Sequence, residues 1–94
     1  MEKIFSQELA PALGPYCHGM KCGNLLLTSG AIPEKKDGSF VYEIKEATFL
    51  TLRNLLSVVE AAGGSKESIA RVCVQAADLA CGVPIEAAAA AYIC

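Results

Sequence analysis

The stretch Val83-Pro84-Ile85-Glu86-Ala87-Ala88-Ala89-Ala90-Ala91-Tyr92-Ile93-Cys94 decides the fold, because its two local signals disagree. The run Ala87 to Ala91 has the best helix-forming composition in the chain. Val83, Ile85, Tyr92 and Ile93 around it suit a strand. Alanine's helical advantage over a β-branched residue is at most about 0.7 kcal/mol per position. Against that, a strand inside a sheet gains ladder hydrogen bonds and the burial of Ile85, Tyr92 and Ile93, and a lone helix this short is marginal in water. The stretch therefore reads as a β-strand. It should begin near Pro84, which has no N–H to give to a ladder.

Upstream, Glu43 to Ala62 is the clearest element: Ile44, Ala47, Leu52, Leu55, Val58, Val59 and Ala62 recur at helical spacing. Glu46, Arg53, Ser57 and Glu60 lie on the opposite side. Gly63-Gly64 ends the helix, since glycine takes the left-handed C-cap conformation without a Cβ clash. Lys3 to Glu8 can form a first strand, and Pro11, Gly14 and Pro15 make a loop that presents Tyr16. Two extended segments, Tyr16 to Lys21 and Leu25 to Ser29, flank Cys22-Gly23-Asn24 and read as a β-hairpin. Val72 to Ala77 is a further short apolar segment. The reading is a single α+β domain over residues 1–94.

Composition limits the partners. Hydrophobic residues are 53% of the chain and aromatics only 6%, so a folded core is expected, with some apolar area left for contacts between subunits. The net charge of −2 and the lack of a Lys/Arg run give no footprint for a phosphate backbone, so nucleic acid is not an expected partner. No segment reaches the roughly 20 apolar residues of a membrane span, and Met1 to Glu8 lack a signal peptide's charged start and apolar core. A cytoplasmic location is expected. Cys17, Cys22, Cys73, Cys81 and Cys94 show no two-residue metal-knuckle spacing, so reduced thiols and no metal site are the reading.

Four segments, in order, resemble the Rid family, also called YjgF. They are Ala10-Pro11-Ala12-Leu13-Gly14-Pro15-Tyr16, then Leu27-Thr28-Ser29-Gly30-Ala31-Ile32-Pro33, then Asn54-Leu55-Leu56-Ser57-Val58-Val59-Glu60-Ala61-Ala62-Gly63. The fourth runs from Ala70-Arg71-Val72-Cys73-Val74-Gln75 through Leu79 to Ile85-Glu86-Ala87. The resemblance implies a Rid/chorismate-mutase-like mixed β-sheet with helices on one face, assembled as a homotrimer with ligand clefts between subunits. It also reveals a departure. Rid proteins carry a further strand and a second helix where Gly64-Ser65-Lys66-Glu67-Ser68-Ile69 here runs almost directly into Ala70-Arg71, so a truncated version of the domain, shortened near 69–71, is expected.

The activity the resemblance implies is hydrolytic deamination of reactive 2-imino or enamino acids, of the 2-iminobutanoate/2-iminopropanoate type, to a 2-keto acid and ammonia, with no cofactor. Arg71 matches the family's carboxylate-binding arginine, and a guanidinium fork suits two-point binding of a substrate carboxylate. Glu86 matches the residue that orients and deprotonates water. Tyr16 matches a cleft tyrosine, Ser29 and Gly30 a strand end that approaches the ligand, and Cys73 a pocket wall. Each has a plainer reading: a surface Arg71, an exposed strand Glu86, a simple turn at Ser29-Gly30. His18 stands where relatives often have Gln, and reads as a polar hairpin residue. A non-catalytic ligand-binding or interaction module of the same family is the alternative function. Endoribonuclease or translation-inhibitor activity is disfavoured by the acidic balance and the absence of a histidine pair.

Overall fold

The computed structural model describes residues 1–11, 17–76 and 84–93. Its elements are β1 (Glu2–Ile4), β2 (Gly19–Cys22), β3 (Leu25–Thr28), α1 (Ile44–Ala61), a short 3-10 turn (Lys66–Ser68), β4 (Ile69–Ala76) and β5 (Ile85–Tyr92). The alanine run is thus a strand, and it begins directly after Pro84. Tertiary pairing overrides propensity here: β5 lies inside the sheet, whose order is β1-β2-β3-β5-β4. Both edges of the alanine strand are hydrogen-bonded, to β3 and to β4.

Every strand pairing among the described residues is antiparallel. β3 and β4, joined through α1, nevertheless run parallel to each other, because β5 returns between them. The mixed sheet implied by the resemblance is therefore corrected to an antiparallel one among the described residues: with β5 between them, β3 and β4 are not neighbours, and no parallel pair forms. The hairpin β2–β3 turns on Gly23-Asn24, with Gly23 at φ +59, so Cys22 belongs to the strand and not to the turn. The first strand stops at Ile4, short of the expected Glu8, and Ser6 then caps a turn by accepting the Glu8 N–H (3.2 Å).

Burial alternates along β5. Ile85, Ala87, Ala89 and Ala91 lie under α1, and Glu86, Ala88, Ala90 and Tyr92 point to the other face. Small side chains let the helix sit close on the strand. Leu55 packs with Ala87 and Ala89, while Val58, Val59 and Ala62 pack with Ile4, Leu26, Ala91 and Ile93.

The α1 N-cap is Glu43, whose carboxylate accepts the N–H groups of Glu46 (2.8 Å) and Lys45 (3.1 Å); these bonds, the first foremost, hold its carboxyl below the usual range. At the other end Gly64 N–H donates to Val59 O and Gly63 N–H to Glu60 O, the paired bonds of a Schellman motif, with Gly63 at φ +95.

Two helix positions depart from the amphipathic pattern. Ser57, placed on the polar side by spacing, is buried and accepts a hydrogen bond from Ser6 Oγ (3.1 Å). Ile44 and Leu52, placed in the core stripe, are exposed. The cause is the helix's position. α1 packs chiefly on β5 and β3 toward the β1 end of the sheet, and among the described residues of β4 Ile69 alone packs against its core clusters, so the helix flank that carries Ile44 and Leu52 is left uncovered. Val72 and Val74 of β4, which pair with Ala89 and Ala87 and so face the helix side, are accordingly 42% and 51% exposed.

Among the described residues, one buried side-chain polar atom has no partner: Thr51 Oγ1, in the centre of α1. Replacing a buried, unbonded hydroxyl by a methyl removes a desolvation cost at nearly constant shape. Thr51→Val should therefore stabilise the fold by about 1 kcal/mol, read as a raised Tm. An unchanged or lower Tm would mean that the hydroxyl has a partner in solution.

Candidate functional site

The site is built where β3 ends and β5 begins. Ala31 and Ala87 exchange backbone bonds (2.6 and 2.9 Å), which docks the segment after β3 onto the start of β5. This contact sets Gly30 beside Glu86. A Cβ added at Gly30 would stand 2.6 Å from Glu86 Oε2 and 2.7 Å from Cδ, so only glycine leaves room for the carboxylate in its present position. Ser29 fixes the approach: its N–H donates to His18 O (3.0 Å) and its Oγ to Cys17 O (2.6 Å). The serine hydroxyl is thus engaged in holding the strand end, and can offer a ligand only its acceptor lone pairs.

Glu86 is half-buried and opens into a cleft of about 360 Å³, walled by Leu9, Pro11, Ile32 and Asn54. Two of these walls are pinned by residues that the sequence reading passed over. The Asn54 carboxamide donates to Ile32 O (3.0 Å) and Glu34 O (2.9 Å), fastening α1 to the segment beyond β3. His18 Nδ1 accepts the Ser6 N–H (2.9 Å), which leaves Nε2 as the protonated nitrogen facing Ala10 O at 3.1 Å. The ring thereby clips Leu9 to Pro11 over the cleft, with Phe5 edge-on to it. His18 is a structural clip, a role that its reading as a polar hairpin residue did not include. The signal for Asn54 was a carboxamide set among apolar residues on the buried side of a helix, a polar group that needs fixed partners.

Arg71 and Cys73 lie elsewhere on the same surface. Register pairs Arg71 with Ala90, Cys73 with Ala88 and Gln75 with Glu86. Paired residues of an antiparallel ladder share a face, so Arg71, Cys73 and Glu86 all stand on the sheet face opposite α1. Both Arg71 and Cys73 are exposed. Four positions of strand separate the level of Arg71 from that of Glu86, roughly 13 Å at 3.3 Å per residue. One chain therefore brings Glu86, Gly30 and Ser29 together and leaves Arg71 at a distance. Tyr16 lies outside the described residues. The same open face is largely apolar, with Leu25, Leu27 and Tyr92 exposed across β3 and β5.

Residues 7–72 match the family model described as Endoribonuclease L-PSP, to which the Rid and YjgF names also attach. The chain belongs to the Rid family. A RutC family protein of Pyrococcus horikoshii is 36% identical over 80 residues, covering 83% of this chain and 64% of that protein. The 2-iminobutanoate/2-iminopropanoate deaminase of Escherichia coli is 37% identical over 81 residues, covering 84% of this chain and 63% of the enzyme. The chain thus spans somewhat less than two thirds of the length of these Rid relatives. Among solved structures, Escherichia coli TdcF with bound serine superposes at a TM-score of 0.91 and 24% identity, covering 100% of both chains; the YjgF gene product of Escherichia coli gives 0.90 at 24%, covering 98% of each. These establish the Rid fold. No helix among the described residues is long and apolar enough to cross a membrane.

Proposed function

We propose that this Rid-family chain is a hydrolytic deaminase of 2-imino acids, converting the imine and water to a 2-keto acid and ammonia. The observation that carries the reading is the Glu86 carboxylate held against Gly30 in a cleft where the end of β3, the start of β5 and Asn54 of α1 meet. An imine carbon is already electrophilic, so the protein need supply only a placed water, a proton acceptor and an anchor. Glu86 takes a proton from water as the oxygen attacks the C=N carbon and passes it to the nitrogen, giving a carbinolamine. It then takes the hydroxyl proton and delivers it to the nitrogen as the C–N bond breaks, so that the C=O forms and ammonia leaves.

Arg71 is the anchor for the substrate carboxylate. That carboxylate sits on the carbon under attack, so anchor and base must close on one small molecule. Roughly 13 Å of strand between them in one chain favours a cleft completed by a second copy on the apolar open face. Relatives with the deaminase name at 36% and 37% identity support the substrate class.

The sequence relatives are matched over 63–64% of their length, whereas the fold comparison with TdcF spans both chains end to end. That contrast, with Val72 and Val74 uncovered on the helix side, supports an internal shortening near 69–71. It also keeps a second reading open, a ligand-binding module of the same family that no longer turns over. Ammonia release from freshly generated 2-iminobutanoate or 2-iminopropanoate separates the two. Acceleration over buffer is expected, and a rate equal to buffer with ligand still bound would replace the deaminase by the binding module.

A further inference from the structure

Strand β4 is the edge of the sheet, and no described residue pairs with it on its outer side. Its hydrogen-bonding phase follows from β5. Because Ala31 and Ala87 exchange both backbone bonds, the N–H and C=O of Ala87 point away from β4. Ala87 pairs with Val74, so this is a non-hydrogen-bonded pair, and Val74 also directs its N–H and C=O away from β5. With a period of two, Val72, Val74 and Ala76 offer free backbone groups to the edge, while Arg71, Cys73 and Gln75 bond to β5. Edge strands are ordinarily protected by proline, lysine, bulges or a covering element. Between Arg71 and Ala76 β4 has none of these: its only irregularity is at Ile69/Arg71, and Val72 and Val74 are open to solvent.

We propose that two copies of this chain pair antiparallel along β4, about a two-fold axis at Cys73. Val72 then faces Val74 of the second copy, and Val74 faces Val72, as hydrogen-bonded pairs that use the outward N–H and C=O groups. On the helix side four valines meet and cover one another. On the open face Arg71 faces Gln75 of the second copy, and no like charges oppose. Centring the pair on Arg71 would set two guanidinium groups against each other, centring it on Val74 shortens the overlap, and centring it on Val72 sets Val74 against Ala70 across the irregularity at Ile69/Arg71. A shift to an axis between residues would turn valines toward the wrong face. Only the Cys73 register satisfies backbone, apolar and charge complementarity together. It is independent of the catalytic reading.

That register supplies its own reporter. Cys73 meets its copy in a non-hydrogen-bonded pair, with Cα atoms about 4.5 Å apart, inside the range a disulfide spans. With glutathione disulfide as oxidant, two Cys73 thiols give up two protons and two electrons to form one S–S bond, and the oxidant is reduced to two glutathione thiols. The expected product is a covalent two-chain species, lost in Cys73→Ser and retained in Cys22→Ser, an exposed thiol at the end of β2. Val74→Pro removes an N–H from the free edge and none from the β4–β5 ladder, so circular dichroism should be preserved while the sedimentation mass halves and the cross-link disappears. A cross-link that survives Cys73→Ser, no cross-link at all in the wild type, or a mass that Val74→Pro leaves unchanged, as in a simple trimer, would overturn the pairing. Should Val74→Pro fail to fold, the cross-linking series in the other chains decides alone.

Discussion

Glu86→Gln is expected to leave the fold intact and to lower kcat for 2-iminobutanoate hydrolysis by about 10²–10⁴, the range ascribed to a positioned general base. The carboxamide keeps the size and hydrogen-bonding shape of the carboxylate but cannot take a proton from water. Glu86 is half-buried beside Gly30, and its neighbours on β5, Ile85 and Ala87, hold the strand in the core. The substitution therefore alters chemistry with little effect on packing. Gly30→Ala probes the same placement from the other side. Its new methyl would meet the Glu86 carboxylate at well under van der Waals distance and push it out of the cleft. Both variants should lose turnover while retaining the wild-type circular dichroism. The other carboxylate at this cleft, Glu34, serves as the control. If Glu34→Gln abolishes ammonia release and Glu86→Gln does not, the base has been assigned to the wrong residue.

The fold was legible wherever local pattern and tertiary demand agree. The helix was bounded to within a residue at each end because its apolar spacing and the Gly63-Gly64 stop agree with the observed Ile44–Ala61 and its caps. The alanine strand was legible only by weighing small propensities against a whole ladder of hydrogen bonds. What the residues could not disclose was which flank of α1 the sheet would cover. Ser57 and Leu52 exchanged their expected environments because the helix leans toward β1, and the element that would balance it on the β4 side is not among the described residues. The candidate site was legible in part for a related reason. Glu86, Gly30 and Ser29 meet through one bridge, Ala31 to Ala87, between segments near each other in the sheet. Arg71 shares their face through register, yet register also fixes its distance. The clips at His18 and Asn54 give no local pattern, since each exists only through backbone groups far away in sequence.

Arg71→Ala should raise KM for 2-iminobutanoate and reduce kcat/KM about ten- to hundredfold, the equivalent of losing a charge-assisted carboxylate anchor of about 1.5 to 3 kcal/mol. Arg71 is exposed on the edge strand, on the sheet face opposite α1, so Tm should hardly change. That separation gives the measurement its force: a kinetic loss without a stability loss identifies a ligand contact. Arg71→Lys should restore part of the loss, because an ammonium keeps the charge but not the planar fork that grips both carboxylate oxygens. The effect should also depend on the substrate. An imine lacking the carboxylate has nothing for the guanidinium to hold, and on such a substrate wild type and Arg71→Ala should turn over alike. Equal kinetics of wild type and Arg71→Ala on 2-iminobutanoate itself would remove Arg71 from the site and leave the anchor to be sought among residues nearer Glu86.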